Sequence, residues 1–132
     1  MADSLAAANA AFYAALNANL AGDTAPMHAI WSQATDVTNM GPFGGRQAGA
    51  EAVAAHFDEE ARAGMTGTVV LDDALMVDLG DGGYVTGIER GVDFRDASGA
   101  AMRIQHRTTN VFRREADGWR MVHHHCDQHT GG

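Results

Sequence analysis

Residues 106–129 read HRTTNVFRREADGWRMVHHHCDQH. Two runs of alternating character, 101–114 and 118–129, flank Glu115-Ala116-Asp117-Gly118, a tight-turn signal, so the segment predicts a β-hairpin. Its second strand carries His123, His124, His125, Cys126, Asp127 and His129. A strand that dense in imidazole marks a candidate site.

Working outward, the two-residue period continues upstream. In 84–94 the apolar row is Tyr84, Ile88, Val92 and Phe94, against Glu89 and Asp93. In 68–79 it is Val69, Leu71, Leu75, Val77 and Leu79, interrupted by Asp73. Gly80-Asp81-Gly82-Gly83 and Asp96-Ala97-Ser98-Gly99 supply the turns. Before Gly67 the period becomes helical. Leu5, Ala8, Phe12, Leu16 and Leu20 predict an amphipathic helix from near Ser4 to Gly22. A short helix presenting Met27, Ile30 and Trp31 follows, its first turn tolerating Pro26. Val37–Met40 reads as a short strand, and residues 49–63 as a third helix ending at Gly64. Three helices followed by an antiparallel meander predict one α+β domain over residues 1–132, its helices packed on one face of a curved sheet.

Composition bounds the function. The chain has 132 residues, 45% hydrophobic, with a net charge of -8 that argues against nucleic acid as a partner. No apolar run is long enough for a membrane helix. Cys126 is the single cysteine, which cannot form an internal disulfide, and the N-terminus MADSLAAANAAFYAAL lacks the pattern of a signal peptide, so a cytoplasmic location is expected.

The order of helix, short helix with Trp31, VTNMGPFGG, helix from Gly49, and a meander closing with VFRREADGWRMVHHH resembles the SnoaL-like branch of the nuclear-transport-factor-2-like superfamily. The resemblance runs from about residue 8 to residue 127. The closing segment also resembles the association domain of calcium/calmodulin-dependent protein kinase II. It implies a cystatin-like α+β roll: a cone-shaped curved sheet wrapped around three N-terminal helices, with a cavity between them. Such families include steroid isomerases, polyketide cyclases, dehydratases and non-catalytic binders, so function must come from the pocket.

Several residues are candidates for lining that pocket. Arg90 shares a row with Tyr84, Ile88, Val92 and Phe94, and parity points its guanidinium toward the core, where it needs a partner or an anionic ligand; the resemblance implies a cavity arginine there. Tyr84 joins the ligand-binding set from the same row. On the next strand neither row is cleanly apolar; the resemblance favours Arg107 and Thr109 toward the cavity. The histidine strand divides into Trp119, Met121, His123, His125, Asp127 and Arg120, Val122, His124, Cys126, Gln128. Hydrophobicity favours Trp119 and Met121 inward, whereas the resemblance turns Val122, His124 and Cys126 inward. His28 and Trp31, three apart on the short helix, would face the mouth, with Asn39 beside them. His56 reads as a solvated helix residue.

His123-x-His125-x-Asp127 has the residue types of a metal site, yet one strand rarely supplies a closed site; a histidine row packed across a dimer is the preferred reading, with no metal and no cofactor. Steroid isomerases carry a strand carboxylate where this chain reads Asn39-Met40-Gly41-Pro42. The expectation is therefore a small-molecule-binding or association module, joined as a homodimer through the outer sheet face, whose ligand bears an anionic or carbonyl group. The alternative is a cofactor-independent isomerase, cyclase or dehydratase using His124 or Asp127 as acid and base.

Overall fold

A computed structural model describes residues 2–130. Helix α1 (Leu5–Leu20) starts where the Ser4 hydroxyl accepts from Ala7 N at 3.1 Å, and it buries Leu5, Ala8, Phe12, Leu16 and Leu20. Helix α2 (Ala25–Ile30) and helix α3 (Ala50–Ala61) complete the helical layer. Strands β1 (Thr38–Met40), β2 (Gln47–Ala48), β3 (Thr66–Asp78), β4 (Gly82–Arg95), β5 (Gln105–Glu115) and β6 (Gly118–Gln128) form one sheet in the order β2-β1-β6-β5-β4-β3. The meander β3–β6 is antiparallel as expected; β1 extends it by pairing with β6 in parallel, Asn39 opposite His124. The pair β1–β2 is a further addition that the glycine-rich stretch had masked.

Three irregularities curve the sheet and also decide which side chains face the helices. On β3, Asp73 adopts φ 55° at a register shift between Asp72 and Leu75. That is why Asp73 interrupts the apolar row: residues before it face inward, and Leu75 beyond it is 58% exposed. On β4, Asp93 adopts φ 50°, so Phe94 is buried although Tyr84 and Arg90 of the same nominal row lie on the opposite face. On β6 the register shifts between Val111 and Phe112 on the partner strand, leaving Val122 as the extra residue. Trp119 and Met121 therefore face inward before the bulge, and His124 and Cys126 after it. Each reading of the histidine strand holds for half of it, and Val122 belongs to the outer face.

The inner row of β4 is Gly83, Val85, Gly87, Glu89 and Gly91. A Cβ on Gly83 would lie 2.9 Å from Leu5 Cδ2, and one on Gly91 would lie 2.8 Å from Ile104 Cβ. These glycines admit α1 and the 101–104 segment close against the sheet. Asn17 clamps the same helix to β3, accepting from Val69 N at 2.8 Å and donating to Val69 O at 3.1 Å. The core around Phe12, Met27, Val37, Val53, Phe57, Phe112 and Met121 fills one end of the cone. No helix among the described residues is long and apolar enough to cross a membrane.

Candidate functional site

The other end of the cone holds a cavity of about 60 Å³, walled by α1, α3, β1 and the inner faces of β3–β6. An apolar lining (Leu16, Leu20, Phe57, Met65, Val69, Phe94) surrounds a small polar group: Asn39, Glu60, Glu89, His106, His124 and Cys126. Pro42, the exposed Phe43 and the half-buried His56 lie toward its open side.

Glu89 is at the centre and is only 4% exposed. The Tyr13 hydroxyl donates to its Oε2 at 2.9 Å. His124 Nε2 stands 3.9 Å from Oε2 and His106 Nδ1 3.9 Å from Oε1, beyond hydrogen-bond length but within ion-pair range. Burial opposes the Glu89 charge, but His106, His124 and the Tyr13 hydroxyl outweigh it and hold the carboxyl below its ordinary range. Burial pushes the His124 imidazole down, with Glu89 pulling the other way. Burial also drives the Tyr13 phenol and the Cys126 thiol up, so both stay protonated.

The hydrogen bonds assign the tautomer of His124. Asn110 Nδ2 donates to Asn9 Oδ1 at 3.0 Å and to the Tyr13 oxygen at 3.1 Å. Its Oδ1 therefore faces His124 Nδ1, at 2.6 Å, and an amide oxygen can only accept. The Nδ1 of His124 must carry the proton. In the neutral ring that burial favours, its Nε2 then carries the lone pair beside the cavity, and Phe12 packs on the ring with centroids 4.9 Å apart. Here is a base with its far nitrogen anchored and a carboxylate nearby to stabilise the imidazolium.

Of the residues singled out from sequence, the structure brings Asn39, His124 and Cys126 to the cavity. The others lie elsewhere. Arg90 is on the outer face, paired with Asp72 at 2.7 Å, because the inner row of β4 is the glycine-rich one. Arg107 and Asp127 sit opposite each other on the outer face and pair at 2.7 Å, so Asp127 cannot serve as acid or base in the cavity. Tyr84 lines an outer-face depression with Leu79, Val111 and Val122. Helix α2 ends at Ile30, and Trp31 turns into extended backbone with ψ 142°, so it parts from His28. The Trp31 indole is buried against Phe57, outside the cavity lining, while His28 pairs with Asp58 at 2.6 Å on the surface. His56, read as solvated, lines the cavity, and burial lowers its pKa.

Sequence reasoning missed Glu89, His106, Tyr13, Asn110 and Glu60. Alternating glycines on β4 were the available signal, since such a row marks a strand face in close contact with another element. Glu89 was the one polar residue within that row.

The same cluster holds groups that can ligate a metal. Among the described residues, Glu89, His106 and Cys126 bring ligand atoms within 4.8 Å of one another. Ligand atoms around a tetrahedral zinc stand roughly 3.5 Å apart, and Tyr13 already occupies one Glu89 oxygen. The arrangement fits a proton-sharing cluster better than a formed coordination site. His123 and His125 lie on the outer face, their rings 6.3 Å apart, with His123 Nδ1 engaged by Thr38 Oγ1 at 2.7 Å.

Residues 5–126 match the family model of the SnoaL-like domain. The chain belongs to that family. Similar solved structures carry the same fold. A Thiobacillus denitrificans protein assigned as a calcium/calmodulin-dependent protein kinase type II association domain is 28% identical, with a TM-score of 0.80 over 98% of each chain. A Streptomyces avermitilis protein assigned as a dehydratase of the NTF2-like family is 24% identical, with a TM-score of 0.80 over 96% of this chain and 94% of that one. A ketosteroid isomerase-like protein from Erwinia carotovora atroseptica is 19% identical, with a TM-score of 0.76 over 96% and 97%. No curated protein sequence matches this SnoaL-like domain.

Proposed function

We propose that this SnoaL-like domain moves a proton on a small organic molecule bound in the cone, without a cofactor, as an isomerase, cyclase or dehydratase. One observation carries the reading: a buried carboxylate, Glu89, flanked by two imidazoles and a phenol at a cavity whose wall is largely apolar. Buried ionisable clusters in clefts are costly and concentrate at functional sites. The lack of a carboxylate on β1 had favoured a non-catalytic module. Glu89 answers that objection from another strand.

In the proposed reaction, His124 Nε2 takes a proton from a carbon next to a carbonyl, and Glu89 stabilises the imidazolium. The proton returns to a second carbon in an isomerisation, or to a departing hydroxyl oxygen in a dehydration. His106, whose buried Nε2 has no protein partner, is placed to contact the substrate oxygen. The ligand is not assigned as an anion, since among the described residues no arginine lines the cavity.

The test is proton exchange. A panel of small hydroxyketones and unsaturated ketones, including neutral, amine-bearing and acid-bearing members, is incubated with the protein in D2O and followed by proton NMR. Deuterium incorporation or elimination in some members, lost in Glu89→Gln, is expected. A folded wild-type protein inert toward the whole panel would overturn the catalytic reading.

A second reading is a non-catalytic association module, favoured by the identity to the Thiobacillus protein. Both readings share a homodimer through the outer sheet face. Leu75, Leu79, Tyr84, Val111 and Val122 support that assembly as an apolar surface on the outer side of the sheet. We place the protein in the cytoplasm, a compartment that suits its single, unpaired Cys126.

A further inference from the structure

The two carboxyls on the cavity wall differ in their surroundings: Glu89 has an imidazole nitrogen of His106 and of His124 at 3.9 Å, whereas among the described residues Glu60 is in no ion pair. Among the described residues, Glu60 and Glu89 both line the cavity, and no arginine does so. The arginines with carboxylate partners are engaged elsewhere, with Asp72, Asp127, Asp36, Glu115 and Asp117. Besides His106 Nε2, two oxygen acceptors on the cavity residues are buried without a partner: Asn39 Oδ1, on a residue 1% exposed, and Glu60 Oε1. Asn39 keeps its amide nitrogen on Gln47 Oε1 at 2.9 Å, which directs the oxygen away from that bond. A buried acceptor without a donor is destabilising, so such atoms mark where a ligand's donors belong. The remaining wall includes the rings of Phe43, Phe57 and Phe94, whose faces attract cations.

From this we infer that the ligand is a small amine, whose ammonium group is held by Glu60 and Asn39 while its other end meets Glu89 and His124. The assignment of the reacting end rests on the acid–base reading above; the amine preference does not. At this end a carboxylate ligand would face the Glu60 carboxyl and the Asn39 oxygen, and a neutral alcohol would satisfy the acceptors without offsetting the Glu60 charge. Burial and the nearby Glu89 push the Glu60 carboxyl up to about 7, the behaviour of a group lacking its cation. The cavity volume of about 60 Å³ suits a short chain, or the end of a longer one leaving past Phe43.

The experiment uses three probes of matched shape: 3-methylbutylamine, 3-methylbutanol and 3-methylbutanoate. Binding is measured at pH 8 by titration calorimetry and by thermal shift on the wild-type protein. The amine is expected to bind at least about tenfold more tightly than the alcohol, with no detectable binding of the carboxylate. Glu60→Gln, shown to be folded by circular dichroism, should bring amine and alcohol within about threefold of each other. Equal or tighter binding of alcohol or carboxylate, no amine binding at millimolar concentration, or an unchanged preference in folded Glu60→Gln overturns the inference. If Glu60→Gln does not fold, the wild-type ranking decides alone. Amine selectivity without proton exchange would keep this inference and sink the catalytic reading; exchange without amine selectivity would do the reverse.

Discussion

His124 donates its Nδ1 proton to Asn110 Oδ1 across 2.6 Å, so the neutral ring that burial favours keeps its lone pair on Nε2, 3.9 Å from Glu89 Oε2. Asn110 can present that oxygen only because Asn9 and Tyr13 take up its amide protons. The protonation pattern of the cavity is thus set by residues on α1 and β5.

The first prediction concerns that tautomer. Long-range proton–nitrogen NMR spectra near pH 7.5 should show His124 protonated on Nδ1 in the wild type. Asn110→Leu removes the acceptor and should shift the population toward Nε2–H, with a stability loss of about 1–3 kcal/mol from the unpaired buried groups. An unchanged His124 signature in a folded Asn110→Leu protein would remove Asn110 from the role of positioning residue.

Glu89→Gln is isosteric and relieves a buried charge. Tyr13 can still donate to the amide oxygen, so the fold should survive with a melting temperature within a few degrees of wild type. Proton exchange should fall by about 10²-fold or more, the usual contribution of a positioned acid or base. Exchange retained in the variant would move the chemistry to another group.

Glu60 supplies a pH dependence with a definite sign. Its folded pKa of about 7 lies above the ordinary value of 4.5, so between these values the folded state holds a proton that the unfolded chain has released. The contribution is intact below pH 4.5, and stability declines as pH rises toward 7, by about 3 kcal/mol in total. Urea unfolding should therefore show Glu60→Gln close to wild type at pH 4.5 and clearly more stable at pH 8. A parallel pH profile for the two proteins would contradict this.

Assembly is checked by light scattering, where a homodimer is expected and a 13.9 kDa monomer at micromolar concentration would refute it. Phe112, Trp119 and Met121 cannot form the interface, since all three are buried in the core. The double variant Leu75→Glu, Leu79→Lys instead targets residues 58% and 69% exposed and should give a folded monomer. A variant that stays dimeric would place the interface elsewhere.

The fold was legible because its signals are local. Ser4 as a cap, Gly22 and Gly64 as stops, and the Ala116-Asp117 turn each act within a few residues, and the structure places them as read. The site was legible at Asn39, beside the predicted mouth, and where resemblance supplied a face, at His124 and Cys126. On β4 the hydrophobic row misled, because its inner positions are glycines chosen for close approach and its outer positions include Tyr84 and Ile88.

By itself the sequence determined the element order, the α+β class and the presence of imidazoles on the last strand, since periodicity and turn chemistry act through neighbouring residues. Only the tertiary structure decided which side chains share the cavity. Strand parity is reversed by each single-residue bulge, at Asp73, Asp93 and Val122, and these reversals depend on how partner strands register. They turned Trp119 and Met121 into the core alongside His124 and Cys126 on the same strand. Close packing of α1 against glycine-lined β4 brought Tyr13 to Glu89, 76 residues away in the chain.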